Sequence, residues 1–243
     1  MRSGTTLECN RGLAVIRLAQ GRPGPGLAAD LAAICDELNY DTEIRAAVIT
    51  GSGPAFCRDI PAGLRAQAAY SFSAPVASLN CPTIAAINGD AIGIGLELAL
   101  ACDIRIAAET ALFSFPGIER GLIPWDGATQ RLPRLVGRAV AMELMLTGDS
   151  VTAAEALRIG LVSRVVPAKK VMEVALEMGT EMAGKASWAL RYCKEAVYKG
   201  LDMTLAQGLQ LEGDLYFLLH TTEDRTEGIK AFKEKRKPGF KGK

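Results

Sequence analysis

The chain has 243 residues, 49% of them hydrophobic, and its 28 Lys and Arg stand against 27 Asp and Glu for a net charge of +1. That is enough apolar material for one large core, and the near-neutral balance supplies no field to hold nucleic acid or an anionic membrane surface. Six scattered cysteines without a CxxC pair and a single histidine, His220, point to reduced thiols in a cytoplasmic protein and away from a metal site or a Ser-His-Asp triad.

In chain order, the opening MRSGTTLECNRG lacks the apolar core of a signal peptide, and no apolar run approaches the ~18 residues that span a bilayer. LAVIRLA (13–19) predicts a strand that the cluster QGRPGPG ends. Leu27, Leu31, Ile34 and Leu38 then recur at helical spacing. RAAVITGSG and PTIAAINGDAIG each predict a buried strand running into a glycine turn, LELALACD a core helix, and DIRIAA and ALFSF further short strands. From about residue 127 the text becomes helical, in segments broken by Gly or Pro. The class is therefore α/β with layered sheets and a helical C-terminal third. The last fourteen residues, KAFKEKRKPGFKGK, hold seven Lys or Arg against Glu234 alone, which suits either a solvated tail or an anion contact.

Candidate chemistry gathers in the first half. The turns at TGSGPAFCRDI and INGDAIGIG leave backbone N–H groups that can either close tight turns or receive developing negative charge. Glu97 lies one helical turn beyond the second of them, inside an apolar run. A buried carboxylate there is either a general acid/base or the partner of a nearby cation such as Arg105. Asp126, in GLIPWDGATQRL, reads as the N-cap of a following helix or as a second acid, and Glu119, in PGIERGL, as a surface residue or a weaker candidate.

These residues carry a resemblance. PTIAAINGDAIGIGLELALACDIRIAAETALFSF, then GLIPWDGATQRLPRLVGRAVAMELMLTGDSVTAAEALRIGLVSRVVP, and the ending TTEDRTEGIKAFKEKRKPGFKGK resemble the enoyl-CoA hydratase/isomerase family, also called crotonases, over nearly the whole chain. The resemblance implies a crotonase-like spiral of β-β-α turns over 1–190 and a C-terminal helical trimerisation region over 191–243, giving a homotrimer or dimer of trimers. It also implies an acyl-CoA thioester as substrate, the coenzyme being part of that substrate, and no metal or redox cofactor. Two backbone N–H groups, matched to Ile60 and Ile94, would hold the thioester oxygen as an enolate forms. Cys57, Arg58 and Pro61 in the first loop, Gly93 and Gly95 in the second, and Gly117 and Trp125 beyond them would line the substrate groove.

The departures from the family pattern are equally specific. Arg58-Asp59 replaces a small Ala-Gly pair, and Ile94 replaces a glycine, which should narrow the pocket. Glu97 matches the first of the two glutamates that hydratases use, whereas Gly117 occupies the place of the second. Asp126 is the preferred substitute, with Glu119 next, because an extended segment would put residue 119 on the same face as 117. Trp125 suits a flat or cyclic acyl group or serves ordinary packing. The leading expectation is a lyase that hydrates a conjugated or cyclic enoyl-CoA. The alternatives are an isomerase that moves a double bond with one carboxylate and a non-catalytic acyl-CoA-binding member of the family.

Overall fold

The computed structural model describes residues 4–20, 23–60 and 70–243. The strands β1 (Thr6–Asn10), β2 (Leu13–Leu18), β3 (Ala46–Gly51), β4 (Thr83–Ile87), β6 (Ile104–Ala108) and β9 (Arg164–Val166) form a six-stranded sheet in the order β1-β2-β3-β4-β6-β9. Only the β1–β2 pair in this sheet is antiparallel. The segments β5 (Ala91–Ile92), β7 (Leu112–Ser114) and β8 (Val151–Thr152) make a second, three-stranded sheet. Parallel strands need crossovers that cover the sheet faces, and β4 is accordingly buried at every position.

The strands expected at LAVIRLA (13–19) and at the starts of RAAVITGSG (45–53) and PTIAAINGDAIG (82–93) are β2, β3 and β4. The exposed edge strand β1 was not expected, because TLECN is too polar to look like one. It is held by a hairpin in which Arg11 and Gly12 both adopt positive φ, 48° and 81°. The register runs from Thr6 opposite Arg17 to Asn10 opposite Leu13.

Helix α1 (Pro25–Tyr40) buries Leu27, Leu31, Ile34 and Leu38, the four residues singled out by spacing. A short α2 (Ser73–Ala77) precedes β4, and α3 (Ile94–Leu100) is buried over its whole length between β5 and β6. The predicted helix after residue 127 is two helices, α4 (Ala128–Val136) and α5 (Arg138–Thr147), because Gly137 sits at φ +81° between them. The later helices are α6 (Ala153–Arg158), α7 (Val171–Ala183), α8 (Ser187–Gly200), α9 (Leu205–Leu219) and α10 (Glu223–Lys233). Helix α7 lies on the large sheet, with Gly179 brought against Leu13 and Val48. Helix α8 runs across the position at 190/191 where the two regions were expected to meet. The Lys194–Asp103 ion pair, at 2.9 Å, ties it to the edge of β6.

The basic C-terminus is neither loose nor near the glycine turns. The buried Asp224 accepts from the N–H groups of Lys241 (2.6 Å) and Gly242 (2.9 Å), and Glu227 accepts from Arg236 (2.6 Å) and the Gly239 N–H (2.8 Å). Arg45, just before β3, donates to the Phe240 carbonyl at 3.0 Å. The tail therefore docks at the N-terminal end of β3, roughly 20 Å of strand from the turn at its C-terminal end. Within one chain it does not reach the turns that were expected to meet the substrate.

Candidate active site

Strands β3 and β4 end side by side, and Asn88 stitches their turns together. Its Oδ1 accepts from the Gly51 N–H (3.0 Å) and the Thr50 hydroxyl (3.2 Å), while its Nδ2 donates to the Gly53 carbonyl (2.8 Å). The loop that follows β3 is then pinned to the loop that follows β4. The N–H groups of Phe56 and Cys57 donate to the Asp90 carbonyl at 3.1 and 3.3 Å, and the Ile92 N–H donates to the Cys57 carbonyl at 3.1 Å. The two turns singled out in the sequence are thus one structure, with Cys57 to Ile60 lying against Gly93 to Gly95. Gly95 is required for this approach, because a Cβ there would stand 1.9 Å from the Cys57 carbonyl oxygen.

Cys57 and Ile60 are buried and Arg58 is exposed. Pro61 lies outside the described residues. Arg58 borders a cavity of about 230 Å³ with Gln20, Ser52 and Gly53. Ile94 was expected to narrow the pocket, but its side chain is fully buried in the core, so it is the backbone of this residue that belongs to the turn.

Glu97 is fully buried one turn into α3. Its Oε1 accepts from the backbone N–H groups of Asp126 (2.9 Å) and Ala128 (3.3 Å), which fixes the loop before α4 against α3. The alternative partner, Arg105, is occupied elsewhere. It donates to the carbonyls of Leu161 (2.7 Å) and Cys102 (2.6 Å), and burial lowers its pKa from the ordinary arginine value.

Asp126 is a cap, but of a different helix from the one expected. Gly127, not Asp126, is the N-cap of α4. The Asp126 carboxylate turns instead toward α2, where Oδ2 accepts from the N–H groups of Phe72 (2.8 Å) and Ser73 (2.7 Å) and Oδ1 accepts from the Ser71 hydroxyl. The carboxylate thus takes three donors at the start of that helix. Glu119 is exposed, and the argument that put it on the same face as Gly117 fails, because Pro116–Arg120 is a 3₁₀ turn and not an extended segment. Gly117 itself is buried. Trp125 is half-buried against the core, and its indole N–H has no acceptor among the described residues.

Asp59 was not among the expected site residues. Its Oδ1 accepts from the Ile94 N–H at 3.2 Å, and its Oδ2 accepts from Arg120 Nη2 at 2.6 Å. The sequence gives no local sign of this, since Arg120 lies 61 positions away.

A cavity of about 610 Å³ lies between Leu100, Arg105, Arg131 and the α8 side chains Leu190 and Tyr198, away from the two turns. Among the described residues no cluster of His, Cys, Asp or Glu could hold a metal ion, and no helix is long and apolar enough to cross a membrane.

The chain is similar to known proteins in sequence and in fold. The profile described as enoyl-CoA hydratase/isomerase matches residues 10–243. The chain is 39% identical to the 2,3-dehydroadipyl-CoA hydratase of Escherichia coli, over 94% of this chain and 96% of that one. It is 38% identical to the (E)-benzylidenesuccinyl-CoA hydratase of Thauera aromatica, over 98% of each. The crystal structure of an enoyl-CoA hydratase from Bacillus anthracis superposes with a TM-score of 0.94 at 36% identity, covering 99% of this chain and all of that one.

Proposed function

This chain belongs to the enoyl-CoA hydratase/isomerase family, and we propose that within it the protein is a hydro-lyase that adds water across the double bond of an enoyl-CoA thioester. The observation that carries this reading is Glu97, a carboxylate without any exposure, lodged between the Gly93–Ile94 turn and the N–H groups of Asp126 and Ala128. The fold brings the glycine turns to it from two separate strand ends.

In the proposed reaction the thioester oxygen takes the backbone N–H groups of Ile60 and Ile94. Glu97 accepts a proton from water as the water oxygen bonds to Cβ. The double-bond electrons move through Cα to the thioester oxygen, and the two donors hold the resulting enolate, each worth a few kcal/mol in the transition state. The enolate then collapses and Cα takes the proton that Glu97 acquired. Water has been added, Glu97 is ionised again, and one carboxylate has balanced both transfers. A second carboxylate at Gly117 is not needed for that balance. Asp126 acts as the clamp that keeps the loop before α4 within reach of Glu97.

The groove beside Arg58, Gln20 and Ser52 would take the nucleotide part of the coenzyme, binding energy remote from the reacting atoms. Trp125 would form an aromatic wall for the acyl group. Its indole N–H, which lacks an acceptor among the described residues, suits an acyl group that carries an oxygen, as the acyl groups in the names of the two curated relatives do. Exposed apolar side chains on α9, among them Leu205, Leu209 and Phe217, would be covered in a trimer or a dimer of trimers.

Loss of the conjugated thioester absorbance of crotonyl-CoA tests the reading. Turnover by the wild type should fall about 10³-fold in Glu97→Gln, which keeps an acceptor for the Asp126 and Ala128 N–H groups but cannot carry the proton. Wild-type protein that binds crotonyl-CoA without consuming it would sink the hydratase reading. A double-bond isomerase is the second reading, since Glu97 alone, with Gly117 where a second carboxylate would stand, could equally carry a proton from one carbon to another. A 3-enoyl-CoA substrate separates the two.

A further inference from the structure

We propose that Asp59 is an internal ligand of the second oxyanion donor, so that a thioester oxygen gains the Ile94 N–H only by displacing a carboxylate toward Arg120. This rests on the assignment of Ile94 as a donor made above.

Three observations meet at one point. The Ile94 N–H donates to Asp59 Oδ1 at 3.2 Å. The other oxygen of the same carboxylate is held by Arg120 at 2.6 Å. Gly93, at φ +56°, has no Cβ, and one built there would fall 2.2 Å from Asp59 Oδ1 and 2.3 Å from its Cγ. The carboxylate therefore lies directly on the donor turn, in space that only a glycine leaves open.

The pair also supplies a place for the carboxylate to go. The Asp59 side chain is 10% exposed and that of Arg120 is 43% exposed, so the guanidinium reaches the carboxylate from the solvent side. Withdrawal toward Arg120 keeps the ion pair and frees the N–H without leaving a buried charge alone.

The consequence is a donor that discriminates by charge. A carboxylate is a stronger acceptor than the neutral carbonyl of a bound thioester, so it holds the Ile94 N–H against the ground state. An enolate oxygen is itself anionic and competes with Asp59 on nearly equal terms. The hydrogen bond is then made chiefly in the transition state, but the enolate must still displace the carboxylate, so Asp59 costs binding in both states and is read mainly in KM. Asp59 acts through the Ile94 N–H and moves no proton, so it is a positioning residue.

The test uses butyryl-CoA, a saturated thioester with nothing to hydrate, titrated by calorimetry into wild type, Asp59→Asn and Asp59→Ala, with crotonyl-CoA kinetics in parallel. Asp59→Ala should bind butyryl-CoA about tenfold more tightly, the difference between hydrogen bonds to charged and to neutral acceptors. The KM for crotonyl-CoA should fall by a similar factor while kcat stays within about threefold, a split that loss of a merely structural contact would not give. Asp59→Asn keeps the shape and removes the charge, and should move in the same direction by less. Unchanged or weaker butyryl-CoA binding in both variants overturns the proposal, as does a kcat loss of about 10²-fold or more in Asp59→Asn, the signature of a proton carrier. If the wild type binds butyryl-CoA but leaves crotonyl-CoA intact, tighter binding by the variants still supports the displaced carboxylate, and only the hydratase reading falls.

Discussion

Glu97 on α3 and Asp126 in the loop before α4 are both buried carboxylates, and they are joined through the bond from the Asp126 N–H to Glu97 Oε1. Their surroundings differ in kind. Asp126 gives its oxygens to the start of α2, where two N–H groups and a hydroxyl donate to them. Glu97 stands one helical turn from Ile94, with Oε1 held by backbone donors of a loop that would border the substrate. The same side-chain chemistry thus serves architecture in one place and is proposed to serve proton transfer in the other. What separates them is which backbone each carboxylate faces.

Substitutions can break this comparison. Among substitutions that leave Glu97 in place, Gly95→Ala should have the largest effect, because its methyl would meet the Cys57 carbonyl at 1.9 Å and force α3 away from the Cys57–Ile60 loop. Moving Glu97 relative to the donors by about 1 Å is enough to cost roughly 10² in kcat. Steady-state hydration kinetics on the folded variant would check this, and near-wild-type kcat would mean that the approach of the two turns does not matter. Asp126→Ala should lose about 2 kcal/mol of stability in urea, from the N–H groups of Phe72 and Ser73 left without their acceptor, with kcat reduced by less than about tenfold. A stable variant would show that the cap is dispensable.

A smaller effect sharpens the picture around the donor loop. Burial pushes the thiols of Cys35, Cys57 and Cys102 up to about 12 and that of Cys81 to about 11, with the charge of Asp59 adding to the shift at Cys57. At pH 8 these four are therefore protonated and only the exposed Cys9 and Cys193 should react with an aromatic disulfide reagent, two thiols out of six until the chain unfolds. Rapid labelling of Cys57 would mean that the loop opens far more readily than its bonds to Asp90 and Ile92 imply.

Much of the frame was legible in the sequence. Continuous branched apolar runs such as AAVITG and TIAAI could only be buried strands, and they are β3 and β4. The family motifs placed Glu97, Ile94 and the Cys57 loop within one region, and the fold brings those loops together. What escaped was decided by tertiary contacts. Helix α2 is five residues long; the Ser71 hydroxyl takes the Ala74 N–H at its start, but the N–H groups of Phe72 and Ser73 are taken by Asp126, more than fifty positions later. The 3₁₀ turn at Pro116–Arg120 looked extended because a short turn leaves no periodicity to read. Asp59 was overlooked for the same reason, since its meaning depends on Ile94 and Arg120, neither of which is near it in the chain.

The most direct measurement is the kcat for crotonyl-CoA hydration by Glu97→Gln and Asp126→Asn, side by side at a temperature where both are folded. The account predicts a loss of about 10³-fold for Glu97→Gln and less than about tenfold for Asp126→Asn. Equal losses in the two variants would contradict it and make Asp126 a second proton carrier.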